Sequence, residues 1–164
     1  ICWKIAFKMK TNNILSINEF KTKIGSNSRL LGVDPGGKNI GLAICDENQM
    51  VATPFKILHK TKFETLLKVF NQIVSENSIK GIVVGNPINM DGTLGKSHQS
   101  AHDFAENLSK NITVPITLWD ERLSSEGSFK IIKELGTNTS NRVKNLDKNA
   151  AAFILQGAID YFTN

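Results

Sequence analysis

Four acidic positions stand at the edges of apolar segments, where folding alone gives little reason for them. Asp34 closes the run RLLGVD, Asp120 and Glu121 follow the apolar run ending at Trp119, and Asp147 precedes the stripe Ala150, Ala151, Ile154, Leu155 and Ala158. A lone carboxylate is costly to bury, so an acid at the end of a buried strand either opens onto solvent or meets a cation. Gly36 and Gly37 follow Asp34, which lets the backbone turn sharply and a large ligand come close. Local roles compete at each position. Asp34 could shape a turn or cap a helix, and Asp147 could be an acid placed favourably at a helix start. Successive strand residues point to opposite faces, so only one of Asp120 and Glu121 readily reaches Asp34. Alternation alone does not choose between them; the other acid pairs with Arg122 or caps the next helix. Carboxylates converging from two strands and a helix make an oxygen donor set suited to hard cations such as Mg²⁺ or Mn²⁺.

The elements that must position these acids follow from hydrophobic periodicity. Apolar strand-like runs cover 29–34, 40–45 and 50–58, separated by turns too short for anything but antiparallel neighbours. A helix follows at 62–76, with Phe63, Leu66, Leu67, Phe70, Ile73 and Val74 on one face. The run 79–85 reads as a central buried strand, and 86–96 as a loop. The stretch 97–110 reads as a helix with Ala101, Phe104, Ala105 and Leu108 as its stripe. A fifth strand covers 114–119, a third helix runs from Ser124 or Ser125 to Leu135, and 137–146 is a polar, basic loop. The last helix spans 147–162. This order predicts an α/β fold, a mixed five-stranded sheet flanked by helices, as in the RNase H-like fold.

The chain has 164 residues, a formal net charge of +5 and a pI near 9.3. It is expected to form one domain over 29–164, preceded by a basic arm over 1–28 that docks loosely. The positive balance favours polyanionic partners. Cys2 and Cys45 lack metal-ligand spacing and read as two reduced thiols. No stretch approaches a membrane span, and ICWKIAFKMK lacks the long apolar core and small-residue cleavage site of a signal peptide. The first methionine is Met9, which leaves it open whether residues 1–8 are native.

The segments RLLGVDPGGKNIGLAICD, IVVGNPINMDGTLG, LWDERLSS and LDKNAAAFILQGAID resemble the YqgF (RuvX) family. Its members are assigned to precursor 16S rRNA processing and are related to Holliday junction resolvases. The resemblance spans about 29–162, with four motifs in the family's order. It implies the RNase H-like fold, a cytoplasmic location and metal-dependent endonuclease chemistry. The family's acids carry over as Asp34, Glu121 and Asp147, which would act as catalytic residues holding Mg²⁺ or Mn²⁺. In-line hydrolysis would then use two metal ions roughly 3.5–4 Å apart, with Asp34 between them. Gly37 and Asn39 depart from the family's frequent hydroxyl residue and Arg, which bears on a backbone-phosphate contact rather than on the metal ligands.

Other residues complete the expected site. Lys38, Arg122, Arg142, Lys144 and Lys148 are expected to contact nucleic-acid phosphates, the last three as part of a basic rim around Asp147. Asp120, Asn86 and Asp91 are expected to support the metal ligands from behind, although Asp91 is equally suited to shaping a turn. His98 and His102, four apart, lack the Glu and the third ligand of a zinc-protease helix and read as exposed polar residues. Scarce aromatics do not interleave with the basic residues and so do not suggest a stacking platform for single strands. Precursor rRNA is the expected partner, with structured DNA as the alternative, and the chain is expected to be a monomer or weak homodimer. Two rivals remain. An actin-like ATPase would need two such domains and a phosphate loop; a non-catalytic RNA-binding factor would keep the basic surface without turnover.

Overall fold

A computed structural model describes residues 13–87, 91–123 and 139–163; at residue 97 and over 139–148 it describes the backbone alone. The strands are β1 (Ile14–Leu15), β2 (Arg29–Pro35), β3 (Asn39–Cys45), β4 (Ala52–His59), β5 (Ile79–Asn86) and β6 (Ile116–Asp120). The helices are α1 (Ile17–Ile24), α2 (Phe63–Glu76), α3 (Lys96–Ser109) and α4 (Thr139–Thr163), and a 3₁₀ turn covers Glu121–Leu123. One six-stranded sheet has the order β1-β6-β5-β2-β3-β4. Strands β2, β3 and β4 form an antiparallel meander, while β2, β5, β6 and β1 run parallel. The predicted helix at 124–135 lies outside the described residues. No helix among the described residues is long and apolar enough to cross a membrane.

Strand alternation divides the core between the two faces of the sheet. Leu31, Val33, Leu42, Ile82, Val84 and Ile116 pack with Leu66, Phe70 and Ile73 of α2 and Ala105 and Leu108 of α3. Leu30, Ala43, Val83 and Trp119 point the other way, against Phe20 of α1 and Ala151, Ile154, Leu155 and Ala158 of α4. Cys45 is a buried free thiol on this second face, and burial pushes its pKa up.

Two expectations about the elements need correction. The sheet has six strands rather than five, because the basic arm is not loosely docked from Asn13 onward. The Ile116 N–H donates to the Asn13 carbonyl at 2.8 Å, and β1 pairs with β6. Ser16 then caps α1, its Oγ accepting the Glu19 N–H at 3.3 Å. Phe20 is fully buried over Gly81, where any side chain on residue 81 would collide with its ring. The second correction is at α4, which begins at Thr139. The segment 137–146 is therefore largely helical rather than a loop, and Asp147 stands in the third turn instead of the first. A helix dipole acts mainly within its first turn, so the helix-start reading of Asp147 fails.

The course of α4 matters for the site. Phe162 stacks on Phe20 at 5.9 Å, beside Gly81 near the start of β5. Ile154 lies against Gly85 near the end of β5. Helix α4 thus runs antiparallel to β5, and its N-terminal side leads towards the C-terminal ends of β2, β5 and β6.

Candidate active site

Three parallel strands end together at one edge of the sheet. Val33 pairs with Val84, so Asp34 comes level with Gly85; Gly85 pairs with Trp119, and Asn86 with Asp120. Leu30 and Leu31 alternate between the two core faces, and the same alternation sends Asp34 to the α4 face. Trp119 is also on the α4 face. Asp120 therefore turns away from it, and Glu121, the first residue of the 3₁₀ turn, comes back to it. Glu121 Oε1 stands 2.9 Å from the place a Cβ on Gly85 would take, with Ile154 of α4 alongside.

The structure gives the two adjacent acids different surroundings. Asp120 is held by Arg122. Arg122 Nη2 donates to Oδ2 at 2.8 Å, Nε to Oδ1 at 3.1 Å, and the Arg122 N–H to Oδ1 at 3.0 Å. These bonds hold the Asp120 carboxyl below its usual range, so it stays ionised. Glu121 is half-buried, and its carboxyl is pushed up to about 7, by burial first and then by the charges of Asp34 and Asp120. Two carboxylates, one on β2 and one just past the end of β6, thus share one low-dielectric corner, and the Glu121 carboxyl is pushed up to about 7.

Asp34 and Glu121 line one cleft of about 370 Å³. The β2–β3 turn forms one side with Gly36 and Gly37, and Lys96, Ser100 and Phe104 of α3 form the other. Lys60 and Pro87 complete the rim. The reading of motifs missed Lys60 and Lys96, because neither belongs to a motif that carries an acid and only the chain's return to this edge brings them to the acids.

The remaining expected residues take distinct places. Lys38 is exposed on the β2–β3 turn, and its carbonyl accepts the Lys60 N–H at 2.9 Å. Asn86 is buried at the end of β5, where its Oδ1 accepts a 2.6 Å bond from His98 Nδ1. That bond corrects the expectation for the histidines, since His98 and His102 are half-buried rather than exposed. Asp91 is exposed and shapes a turn, its Oδ1 accepting from Thr93 N–H at 2.9 Å and Oγ1 at 2.7 Å. Arg122 is exposed and engaged with Asp120. The side chains of Asp147, Arg142, Lys144 and Lys148 lie outside those described. Among the described residues, no group of three or more His, Cys, Asp or Glu is placed to hold a metal ion.

Comparison with known proteins places this arrangement. The family model described as "RuvX: Holliday junction resolvase" matches residues 28–161. A Pelagibacter ubique protein named "Putative pre-16S rRNA nuclease" is 52% identical over 151 residues, covering 92% of this chain and 100% of the relative. A Ruegeria pomeroyi protein of the same name is 42% identical, covering 91% of this chain and 97% of the relative. Among solved structures, the yeast mitochondrial Holliday junction resolvase superposes with a TM-score of 0.52 at 12% identity, covering 90% of this chain and 84% of that one. Thermus thermophilus RuvC in complex with Holliday junction substrate gives 0.50 at 11% identity, covering 84% and 96%. These likenesses bear out the RNase H-like fold, and the family match over most of the chain shows that this protein belongs to the RuvX family.

Proposed function

We propose that this chain is a metal-dependent endonuclease that hydrolyses phosphodiester bonds in precursor 16S rRNA, in the cytoplasm, with Asp34, Glu121 and Asp147 holding Mg²⁺ or Mn²⁺. The carrying observation is that Asp34 and Glu121 line one cleft together. The fold places two like charges together there, and the charges acting on Glu121 are both acidic. Oxygen donors of this kind fit hard cations. The course of α4 supports Asp147 as the third donor, because 147, 151, 154 and 158 share one helix face and the last three are buried against the sheet. When bound, the metal would neutralise phosphate charge and supply an activated water. The protein's own part is to hold the carboxylates in place and seat the substrate strand in the cleft. Lys38 and the basic residues of the first half of α4, Arg142, Lys144 and Lys148, would grip flanking phosphates. The substrate assignment rests on the names of the relatives.

The test is cleavage of a precursor 16S rRNA fragment beside a four-way DNA junction, with wild type and Asp34→Asn. The RNA should be cut with Mg²⁺ or Mn²⁺, and cutting should vanish in chelator and in the variant while its melting temperature holds. The family model's description favours one second reading, a junction-cleaving DNA nuclease, and preferential cutting of the junction would install it. Cleavage by Asp34→Asn within about tenfold of wild type would sink the metal-site assignment.

A further inference from the structure

The cleft beside Asp34 and Glu121 combines three kinds of surface. The acids close one end. The half-buried ring of Phe104, which packs edge-on with Phe70 on its core side, contributes apolar surface, and the exposed Lys60 and Lys96 stand on the rim. Local stability does not explain the lysines. Lys96 opens α3, whose first turn carries no acid, and a helix start disfavours a cation. Among the described residues neither lysine makes a salt bridge, and neither is among the charges acting on Glu121. The cations are therefore within the cleft's reach yet not among the charges that set Glu121.

We propose that this cleft is a pocket for one unpaired nucleotide next to the scissile phosphate, so that the substrate strand must be single-stranded where it is cut. Lys60 and Lys96 hold the phosphates of that strand, and Phe104 offers its ring to the base. A phosphate needs cations and a base needs an apolar face; the cleft supplies both within about 370 Å³. A duplex, whose bases face each other and whose two backbones are held apart, has no comparable fit. This assignment rests on the nuclease reading for what the acids do, but not for what the cleft binds. Lys60 and Lys96 are positioning residues, since they grip the strand without touching the reacting atoms.

Binding in excess chelator separates the two ideas, because no turnover is needed. Fluorescence anisotropy of the full chain with a short RNA, single-stranded or annealed to its complement, should show about tenfold tighter binding of the single strand, as base stacking of 1–3 kcal/mol implies. In Lys60→Gln/Lys96→Gln the slope of log K against log salt should fall by about 1.4 for the single strand, two phosphate contacts at about 0.7 each. Phe104→Leu should weaken single-strand binding and leave that slope unchanged. Equal affinity for duplex and single strand, or an unchanged slope in the lysine variant, overturns the pocket. Both lysines are exposed, so the variant's folding is not at issue. Wild type that binds as described but never cuts leaves the pocket standing and overturns the nuclease reading.

Discussion

Glu121 owes its position to Gly85. Its Oε1 lies 2.9 Å from where a Cβ on residue 85 would stand, and Ile154 of α4 closes on the same point. The absent side chain on β5 is what lets the carboxylate and the helix lie over the strand beside Asp34.

Gly85→Ala should therefore injure the site and the fold together. The added methyl group must push on Ile154 or on the carboxylate, and overpacking of this kind costs about 1–3 kcal/mol. Cleavage should fall by more than the lost stability explains, since Glu121 is displaced even in molecules that remain folded. Thermal unfolding and cleavage, both measured well below the variant's melting temperature, check this. Wild-type values for both would mean that the corner relaxes without moving Glu121.

The raised Glu121 pKa makes the metal-free protein pH-dependent in a definite direction. The group titrates at about 7 when folded, against an ordinary value of 4.5. A carboxyl raised in the folded state adds stability in its protonated form, fully present below pH 4.5 and lost as pH rises through 7. Glu121→Gln mimics the protonated form, so it should match wild type at pH 4.5 and exceed it at pH 8. The gain should be on the order of 2 kcal/mol once solvent screening is allowed for. Urea unfolding in chelator at the two pH values measures it, and equal stabilities at pH 8 would contradict the coupling.

Metal binding should show the opposite pH preference. A cation competes with the proton on Glu121, so Mn²⁺ should raise the melting temperature at pH 8 and do little at pH 5.5. Mg²⁺ should act likewise. Ca²⁺ should bind but support cleavage poorly, because its looser geometry disturbs in-line alignment. Differential scanning fluorimetry with each ion at both pH values decides this; a pH-independent shift would place the metal away from Glu121.

How far the sequence foretells this site depends on the range of the interactions. Asp34 and Glu121 are visible because each ends an apolar run, and strand alternation already limits the choice at 120 and 121. Arg122 is a local partner open to either acid; deciding between them takes a tertiary fact, the gap at Gly85. The docking of the arm is hidden from the sequence for a related reason. A two-residue strand has no period to detect, and Phe20 docks only because Gly81, 61 positions later, leaves room for its ring. The start of α4 escaped because 137–146 is polar, and helices held by a packed C-terminal half carry polar residues outward without an apolar signal.

Gln156 ties α4 to the free edge of the sheet. Its Oε1 accepts the Ala52 N–H at 2.9 Å, and its Nε2 donates to the Met50 carbonyl at 3.1 Å. Gln156→Ala should cost about 1–2 kcal/mol, two partly exposed bonds at about 0.5–1.5 kcal/mol each less the water that replaces them. Amide exchange should rise at the start of β4 and not in β2 or β5. Uniform exchange across the sheet would show that the bonds do not anchor this edge.

The basic residues of α4 offer a separate grip on substrate. Arg142 and Lys144 lie in the polar first half of a helix, so replacing both with Gln keeps helix propensity and should change stability by less than about 0.5 kcal/mol. If they contact phosphates, the slope of log K against log salt should fall by about 1.4 for single-stranded RNA, with similar affinity losses on unrelated sequences. Combining this change with Lys60→Gln/Lys96→Gln should lower the slope by the sum of the two effects, because independent contacts release independent counterions. A combined slope no lower than either double variant alone would mean that one set of lysines and arginine only compensates for the other. An unchanged slope in Arg142→Gln/Lys144→Gln would mean that these charges are merely solvated, and the strand would then be held by the cleft alone.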